Sequence, residues 1–278
     1  MGKGKTGYVK FMTVTMSMHA MTFMKMCVQW CPSAEAYTAS HMLFDEWIHA
    51  NTCTCPEEIK PVLLKHRSLF IDKLPPGLPP ARVIDHTITL APGKLPSRGC
   101  IYKLTADEQQ ALRSTIDQLR ESRWISMTSS PFAAPAMIVG KKDDSSGNQQ
   151  YRMVINYKEL NAMTISPEYP LPTIQEVLDL LHGAKVFTIM DMEQGFHQIR
   201  MAPADQFKTA FRTFMGQYEY KVMPFGLRGA PGTFQAVMNH MFFNLIGRGV
   251  MVYADDLLVY SKDLTSHAKL LDNVLTIL

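Results

Sequence analysis

The sequence has 278 residues, 46% of them apolar and 19% charged, which is enough for one large or two ordinary domains with proper cores and excludes a disordered chain. Twenty-eight Lys and Arg against 25 Asp and Glu leave a formal charge of +3, so net charge carries no argument for a nucleic-acid partner and any basic surface must be local. The five cysteines, at 27, 31, 53, 55 and 100, are odd in number and crowd toward the N-terminus, which fits a reduced, intracellular setting better than a disulfide framework.

Residues 1–55 carry seven Met in the first 26 positions, no clean hydrophobic period and no turn punctuation beyond Pro32, so they receive no fold and are expected to be disordered. Met1-Gly2 with Thr6 matches a myristoylation pattern short enough to arise by chance. Lys3, Lys5 and Lys10 before the apolar Phe11 to Met24 resemble a signal peptide, but Ala34-Glu35-Ala36 lies too far downstream for its cleavage site. Cys27, Cys31, His41, His49, Cys53 and Cys55 fit no zinc-site spacing. No stretch approaches the roughly 20 apolar residues of a membrane-spanning helix, and no membrane partner is expected. Residues 56–100 read as a linker and N-terminal arm, with a short helix near 57–70 followed by the stiff, extended Pro75-Pro-Gly-Leu-Pro-Pro80.

From Thr105 the pattern sharpens. Thr105 and Glu108 form a capping box, and Leu112, Ile116 and Leu119 recur on one face of a helix ending near Arg123. Ala136 to Val139 and Tyr151 to Ile155 are strand-like runs around the polar stretch 141–148, a long hairpin tip flanked by Lys141 and Arg152. Thr173 and Glu176 cap a second helix that Gly183 closes, and Val186 to Met190 follows as a short buried strand with Asp191 at its end. Ala210 to Phe214 and Tyr218 to Met223 read as antiparallel strands around the turn 215–217. Pro231 opens a helix with an apolar face of Phe234, Val237, Met241 and Leu245, which Gly247 and Gly249 break before the strand Val250 to Tyr253. Asp255 and Asp256 then sit at a tight hairpin tip before the apolar strand Leu257 to Tyr260. One more helical stretch runs to Leu278. The order of strands and helices argues for a mixed α/β sheet.

Two adjacent Asp between apolar strands gain nothing as packing and are costly unless their charge is compensated. If a central sheet brings Asp191, 64 positions before Asp255, to the same place, three hard oxygen ligands become available to Mg²⁺. Two such ions about 4 Å apart would suit phosphoryl transfer by in-line displacement. A solvated Asp-Asp turn with an unrelated helix-capping Asp191 accounts for the same residues equally well on spacing alone.

The sequence resembles the reverse transcriptases of gypsy-type long-terminal-repeat retrotransposons over about residues 57–278. Tyr253-Ala254-Asp255-Asp256 is similar to that family's Tyr-x-Asp-Asp hairpin. Phe187-Thr-Ile-Met-Asp191 with Gly195-Phe196-His197-Gln198-Ile199-Arg200 is similar to the strand and turn bearing its first catalytic Asp. Lys208-Thr-Ala-Phe-Arg212, Tyr220, Met223-Pro-Phe-Gly-Leu227, Ala230-Pro231 and Thr233-Phe234-Gln235 follow in the family's order. The resemblance implies an α+β fold of polymerase fingers and palm over residues 101–278, with an antiparallel palm sheet backed by helices.

It further implies an RNA-directed DNA polymerase in which Asp191, Asp255 and Asp256 bind two Mg²⁺ ions, with Mn²⁺ as an alternative. Lys141, Arg152, Phe196 and Phe225 would contact the nucleotide: the two cations on the triphosphate, and Phe196 under the deoxyribose as a gate against a 2′-hydroxyl. Pro224, Gly226 and Tyr253 would contact template and primer. The implied partners are dNTPs, an RNA or DNA template with its primer, and other domains of a Pol polyprotein, in a cytoplasmic particle or the nucleus. Asn156 and Lys158 stand where the family usually has Asp and Arg, and Arg228-Gly229 where small or polar residues are commoner. The family's thumb, connection, ribonuclease H and integrase regions have no counterpart in the sequence. A fragment ending before the thumb, or an inactive remnant that grips duplex weakly, is therefore the alternative expectation. A nuclease or nucleotide cyclase would use the same carboxylates.

Overall fold

The structure, a computed structural model, describes residues 9–16, 56–70, 74–93, 99–141, 150–166, 169, 173–253 and 256–278. The strands are β1 (Val9–Met16), β2 (Thr89–Leu90), β3 (Ile125–Met127), β4 (Ala134–Lys141), β5 (Gln150–Ile155), β6 (Thr164–Ile165), β7 (Val186–Met192), β8 (Phe211–Thr213), β9 (Gly216–Tyr220), β10 (Val250–Tyr253) and β11 (Asp256–Ser261). The helices are α1 (Lys60–Lys65), α2 (Ala106–Glu121), α3 (Lys158–Met163), α4 (Ile174–Leu180), α5 (Ala230–Met241) and α6 (Leu264–Ile277). They fall into two compact units, one of Met1–Leu74, Tyr169–Gly195 and Gln235–Leu278, the other of Pro75–Glu168 and Phe196–Phe234.

In the first unit an antiparallel sheet runs in the order β1-β7-β11-β10. The capping box read from Thr173 and Glu176 is formed: the Glu176 N–H donates to Thr173 Oγ1 at 3.3 Å, and the Thr173 N–H to the Glu176 carboxylate at 2.7 Å. Thr173→Ala would remove the Oγ1 acceptor and leave the Thr173 N–H bond to Glu176 in place, at a cost of about 1 kcal/mol. So started, α4 lays Val177 and the following Leu181 against Phe187, Met251, Leu258 and Tyr260. Each such apolar side chain taken out of water contributes about 1.5–3 kcal/mol.

The neighbouring strand positions point to the other face of the sheet. There α6 is fastened to the sheet by His267. Ser261 Oγ donates to the Asp263 carbonyl at 2.9 Å, so it accepts His267 Nδ1–H at 2.9 Å, which leaves His267 Nε2 to accept from Thr188 Oγ1 at 2.8 Å. Residues 9–16, in the segment to which the sequence assigned no fold, form β1 along β7. Val9, Thr13, Val14 and Thr15 are β-branched, which favours an extended chain.

The second unit holds a sheet of order β3-β9-β8-β4-β5, antiparallel except for the parallel β4–β8 pair. α2 starts on the expected capping box at Thr105 and buries the expected Leu112, Ile116 and Leu119. Its end is tied to the Pro-rich stretch. Trp124 Nε1 donates to the Gly77 carbonyl at 3.0 Å, and the Gly77 N–H donates to the Ser122 carbonyl at 3.2 Å.

Two local expectations shift. β7 runs through Met192, so Asp191 is its penultimate residue rather than the residue after its end. α5 stops at Met241, and the large apolar residues buried in this stretch are Phe234, Val237, Met238 and Phe242, with Leu245 past the helix. The chain turns back early because Gly247 and Gly249 take φ of +74° and +108°, a region open to glycine, and bring Val250 into its strand.

Candidate active site

The rows of one sheet face change from apolar to acidic along β7 and β11. Tyr260 lies opposite Phe187, Leu258 opposite Ile189, and Asp256 opposite Asp191. Residues directly opposite in an antiparallel pair share a face, with Cβ atoms about 4.5–5.5 Å apart. The apolar rows pack under α4. The acidic row lies at the end of the strands, Asp191 half-buried and Asp256 exposed. Tyr253 closes β10 as the register partner of Asp256, so the backbone carries Tyr253, Asp256 and Asp191 side by side. Ala254 and Asp255, between β10 and β11, lie outside the described residues.

Paired carboxylates on one face are hard oxygen donors of the type that Mg²⁺ takes, and like charges directly opposite each other disfavour the sheet until a cation is shared. Asp191 and Asp256 therefore fit a divalent metal, with Asp255 as the expected third donor. Among the described residues no group of three or more His, Cys, Asp or Glu is placed to hold a metal.

The second unit gathers most of the residues expected at the nucleotide. The Arg152 guanidinium lies 5.6 Å from the centroid of the Phe225 ring. Phe225 meets Phe196 edge to face, with centroids 4.9 Å apart at 82°, and Phe196 in turn lies 5.4 Å from Phe234. Phe196 is buried on the 3₁₀ turn Gly195–Gln198, whereas Phe225 is 39% exposed. Pro224 is buried. Gly226 adopts φ +92°, a conformation that strains any side chain with a Cβ. Lys141 ends β4 opposite Gln150, on the same hairpin as Arg152, and its side chain lies outside the described residues.

Several residues in these surroundings had no role in the sequence reading. Asn161 pins the turn at Gly226: its Nδ2 donates to the Gly226 carbonyl at 2.7 Å, and its Oδ1 accepts the Arg228 N–H at 2.8 Å. His197 is buried, stacks on Tyr220 with centroids 6.0 Å apart at 10°, and meets Phe225 edge to face at 5.2 Å. Burial pushes its pKa down to about 4, so the ring is neutral at physiological pH. Gln235 donates through Nε2 to the Val252 carbonyl at 3.2 Å and to Asn239 Oδ1 at 3.0 Å, which ties α5 to the residue before Tyr253. Thr233-Phe234-Gln235 marked this position only as part of a motif; an amide on an otherwise apolar helix face was the available sign. A cavity of about 290 Å³ elsewhere in the second unit is lined by Tyr102, Asn156, Lys158 and Lys208 among others, and by none of the expected site residues.

Comparison with known proteins gives the family and the fold. The family model described as "Reverse transcriptase (RNA-dependent DNA polymerase)" matches residues 139–278, half of the chain. The Retrovirus-related Pol polyprotein from transposon 297 of Drosophila melanogaster is 40% identical over 175 residues, covering 63% of this chain and 16% of that polyprotein. The chain thus spans about a sixth of the length of that relative. Among solved structures, the protease-reverse transcriptase of prototype foamy virus matches with a TM-score of 0.67 at 22% identity, covering 85% of this chain and 31% of that one. The foamy viral protease-reverse transcriptase in complex with an RNA/DNA hybrid matches with a TM-score of 0.62 at 21% identity, covering 81% and 30%. These neighbours share the expected α+β arrangement of antiparallel sheets with helices. The chain belongs to the reverse transcriptase (RNA-dependent DNA polymerase) family.

Proposed function

We propose that the chain is the fingers and palm of an RNA-directed DNA polymerase, transferring a nucleotide from a dNTP to the 3′-hydroxyl of a primer. The observation that carries this reading is the cross-strand pair Asp191 and Asp256, set beside Tyr253 where β10 ends and β11 begins. In the reaction the 3′-oxygen forms a bond to the α-phosphorus, the bond to the bridging oxygen breaks, pyrophosphate leaves and the hydroxyl proton passes to solvent. Asp191, Asp255 and Asp256 hold two divalent cations, Mg²⁺ or Mn²⁺. When bound, such ions supply activation of the attacking hydroxyl and neutralisation of the leaving group.

The chain's own groups do the rest. Lys141 and Arg152 neutralise the triphosphate from the fingers hairpin, Arg152 with a planar fork suited to phosphate oxygens. Phe196 lies under the sugar and rejects a 2′-hydroxyl by overlap. Phe225 contacts the nucleotide, Pro224 and Gly226 the template, and Tyr253 the primer end. The foamy viral neighbour in complex with an RNA/DNA hybrid supports a template with its primer as the partner.

Primer extension tests this directly, with an RNA template, a DNA primer, labelled dNTP and Mg²⁺. Incorporation above background that is lost in Asp191→Asn and Asp256→Asn is the expected result. Detectable duplex binding with incorporation at background in the unaltered chain would refute the polymerase reading and leave an inactive remnant.

A further inference from the structure

Phe225 combines two properties that seldom go together. At 39% exposure its ring is open to solvent, yet it is held on three sides. Phe196 meets it edge to face at 4.9 Å and 82°, His197 does the same at 5.2 Å and 82°, and the Arg152 guanidinium covers it at 5.6 Å. His197 is itself fixed by stacking on Tyr220 and by Trp124, whose ring centroid is 4.9 Å away. Phe196 has Phe234 on another side, at 5.4 Å and 58°. The rings form one braced row in which Phe225 is the member that touches both the fingers cation and the buried Phe196.

We propose that Phe225 is a specificity-determining residue that acts through Phe196, a proposal that rests on reading Phe196 as the sugar gate. Rejection by overlap needs a ring that does not yield. The χ2 torsion of Phe is broad and soft, so a gate ring held only by its own rotamer would tilt away from an added hydroxyl. The edge of Phe225 closes that escape, because tilting Phe196 would give up a favourable quadrupolar contact and drive the rings together. Sugar choice is then a property of the pair. Leucine at 225 would keep much of the bulk and lose the ring edge, whereas tyrosine would keep both.

The test is the ratio of kcat/KM for dATP over ATP in primer extension by the unaltered chain, Phe225→Leu, Phe225→Tyr, Phe196→Val and the Phe196→Val/Phe225→Leu double variant. Equilibrium binding of dATP and ATP to each chain with a primer-template whose primer ends in a 3′-deoxy nucleotide, by titration calorimetry, gives the discrimination at the binding step without turnover. Loss of one edge-to-face contact predicts a roughly three- to tenfold fall in the ratio for Phe225→Leu. The ratio in Phe225→Tyr should stay within about twofold of the unaltered chain, and the double variant should fall no further than Phe196→Val, because two groups acting as one unit are not additive.

An unchanged ratio in Phe225→Leu beside a lowered one in Phe196→Val overturns the proposal and leaves the gate standing. Equal losses on dATP and ATP in Phe225→Leu overturn it too, by reducing Phe225 to packing. An unchanged ratio in Phe196→Val, or no preference for dATP in the unaltered chain by either readout, overturns the gate and this proposal together.

Discussion

Neutralising one member of the acidic pair separates the metal reading from a solvated turn without any need for catalysis. Asp256 stands opposite Asp191, which sets the Cβ atoms about 5 Å apart. At that spacing two unit charges repel by about 1 kcal/mol in the dielectric of water and about 3 kcal/mol at an effective constant of 20. Asp256 is exposed, so the lower figure applies. Asp256→Asn or Asp191→Asn should therefore leave the chain folded and, without metal, raise its stability by up to about 1 kcal/mol. Mg²⁺ should favour the unaltered chain over both variants. With Kd about 1 mM, 10 mM Mg²⁺ stabilises the unaltered chain by about 1.4 kcal/mol, a rise in Tm of about 2 °C. A tenfold weaker site in either Asn variant reduces the gain to about 0.4 kcal/mol, a rise of about 1 °C. Melting with and without Mg²⁺ at constant ionic strength reads this difference. Equal Mg²⁺ shifts in all three chains would show that the paired carboxylates do not share a cation.

Lys141→Ala and Arg152→Ala should raise KM for dNTP by about tenfold while template affinity stays the same, because a charge-assisted contact to phosphate is worth about 1.5 kcal/mol or more; a cost that fell on template affinity would reassign both cations. Gly249→Ala should destabilise the chain by about 2 kcal/mol or more, since φ is +108° and a Cβ would lie 2.4 Å from Leu270 Cδ2 and 3.1 Å from the Tyr260 carbonyl; an unmoved urea midpoint would contradict this. Burial pushes His86, His197 and His267 down to about 4 from 6.5, so the folded state holds them neutral and its advantage is complete above about pH 6.5 and lost as pH falls toward about 4. Each should cost about 2 kcal/mol between pH 7 and pH 5, and His267→Gln should remove about a third of that slope in denaturant titrations.

What could be read in the sequence was what local chemistry decides. A Thr with a Glu three residues on has one efficient use at a helix start, and both Thr105 and Thr173 are used that way. The hairpin of β10 and β11 followed from two apolar runs separated by a short polar break, whereas the long-range pairing of β11 with β7 sets Asp256 opposite Asp191. β1 escaped notice because a run in which five of eight residues favour strands, amid many Met, has no turn or period to mark it, and the edge of β7 that it occupies is specified elsewhere in the chain. The end of α5 was misplaced because its apolar period carries on to Leu245, whereas the positive φ at Gly247 and Gly249 decides where the chain turns.

The residues expected at the nucleotide show the same division at finer scale. Resemblance supplied Arg152, Phe196 and Phe225 one at a time, each with a separate role. Their contacts depend on where β5, the turn after Met223 and the 3₁₀ turn at Gly195 come to rest, and no spacing in the sequence encodes that. Phe196 and His197 are adjacent in sequence, and both still meet Phe225 at 82°. Successive residues of a strand would point to opposite faces; a 3₁₀ turn turns the chain by about a third of a circle per residue, and this lets two neighbours close on one ring. The tight turn, more than either side chain alone, is what brings Phe196 and His197 together against an exposed Phe225.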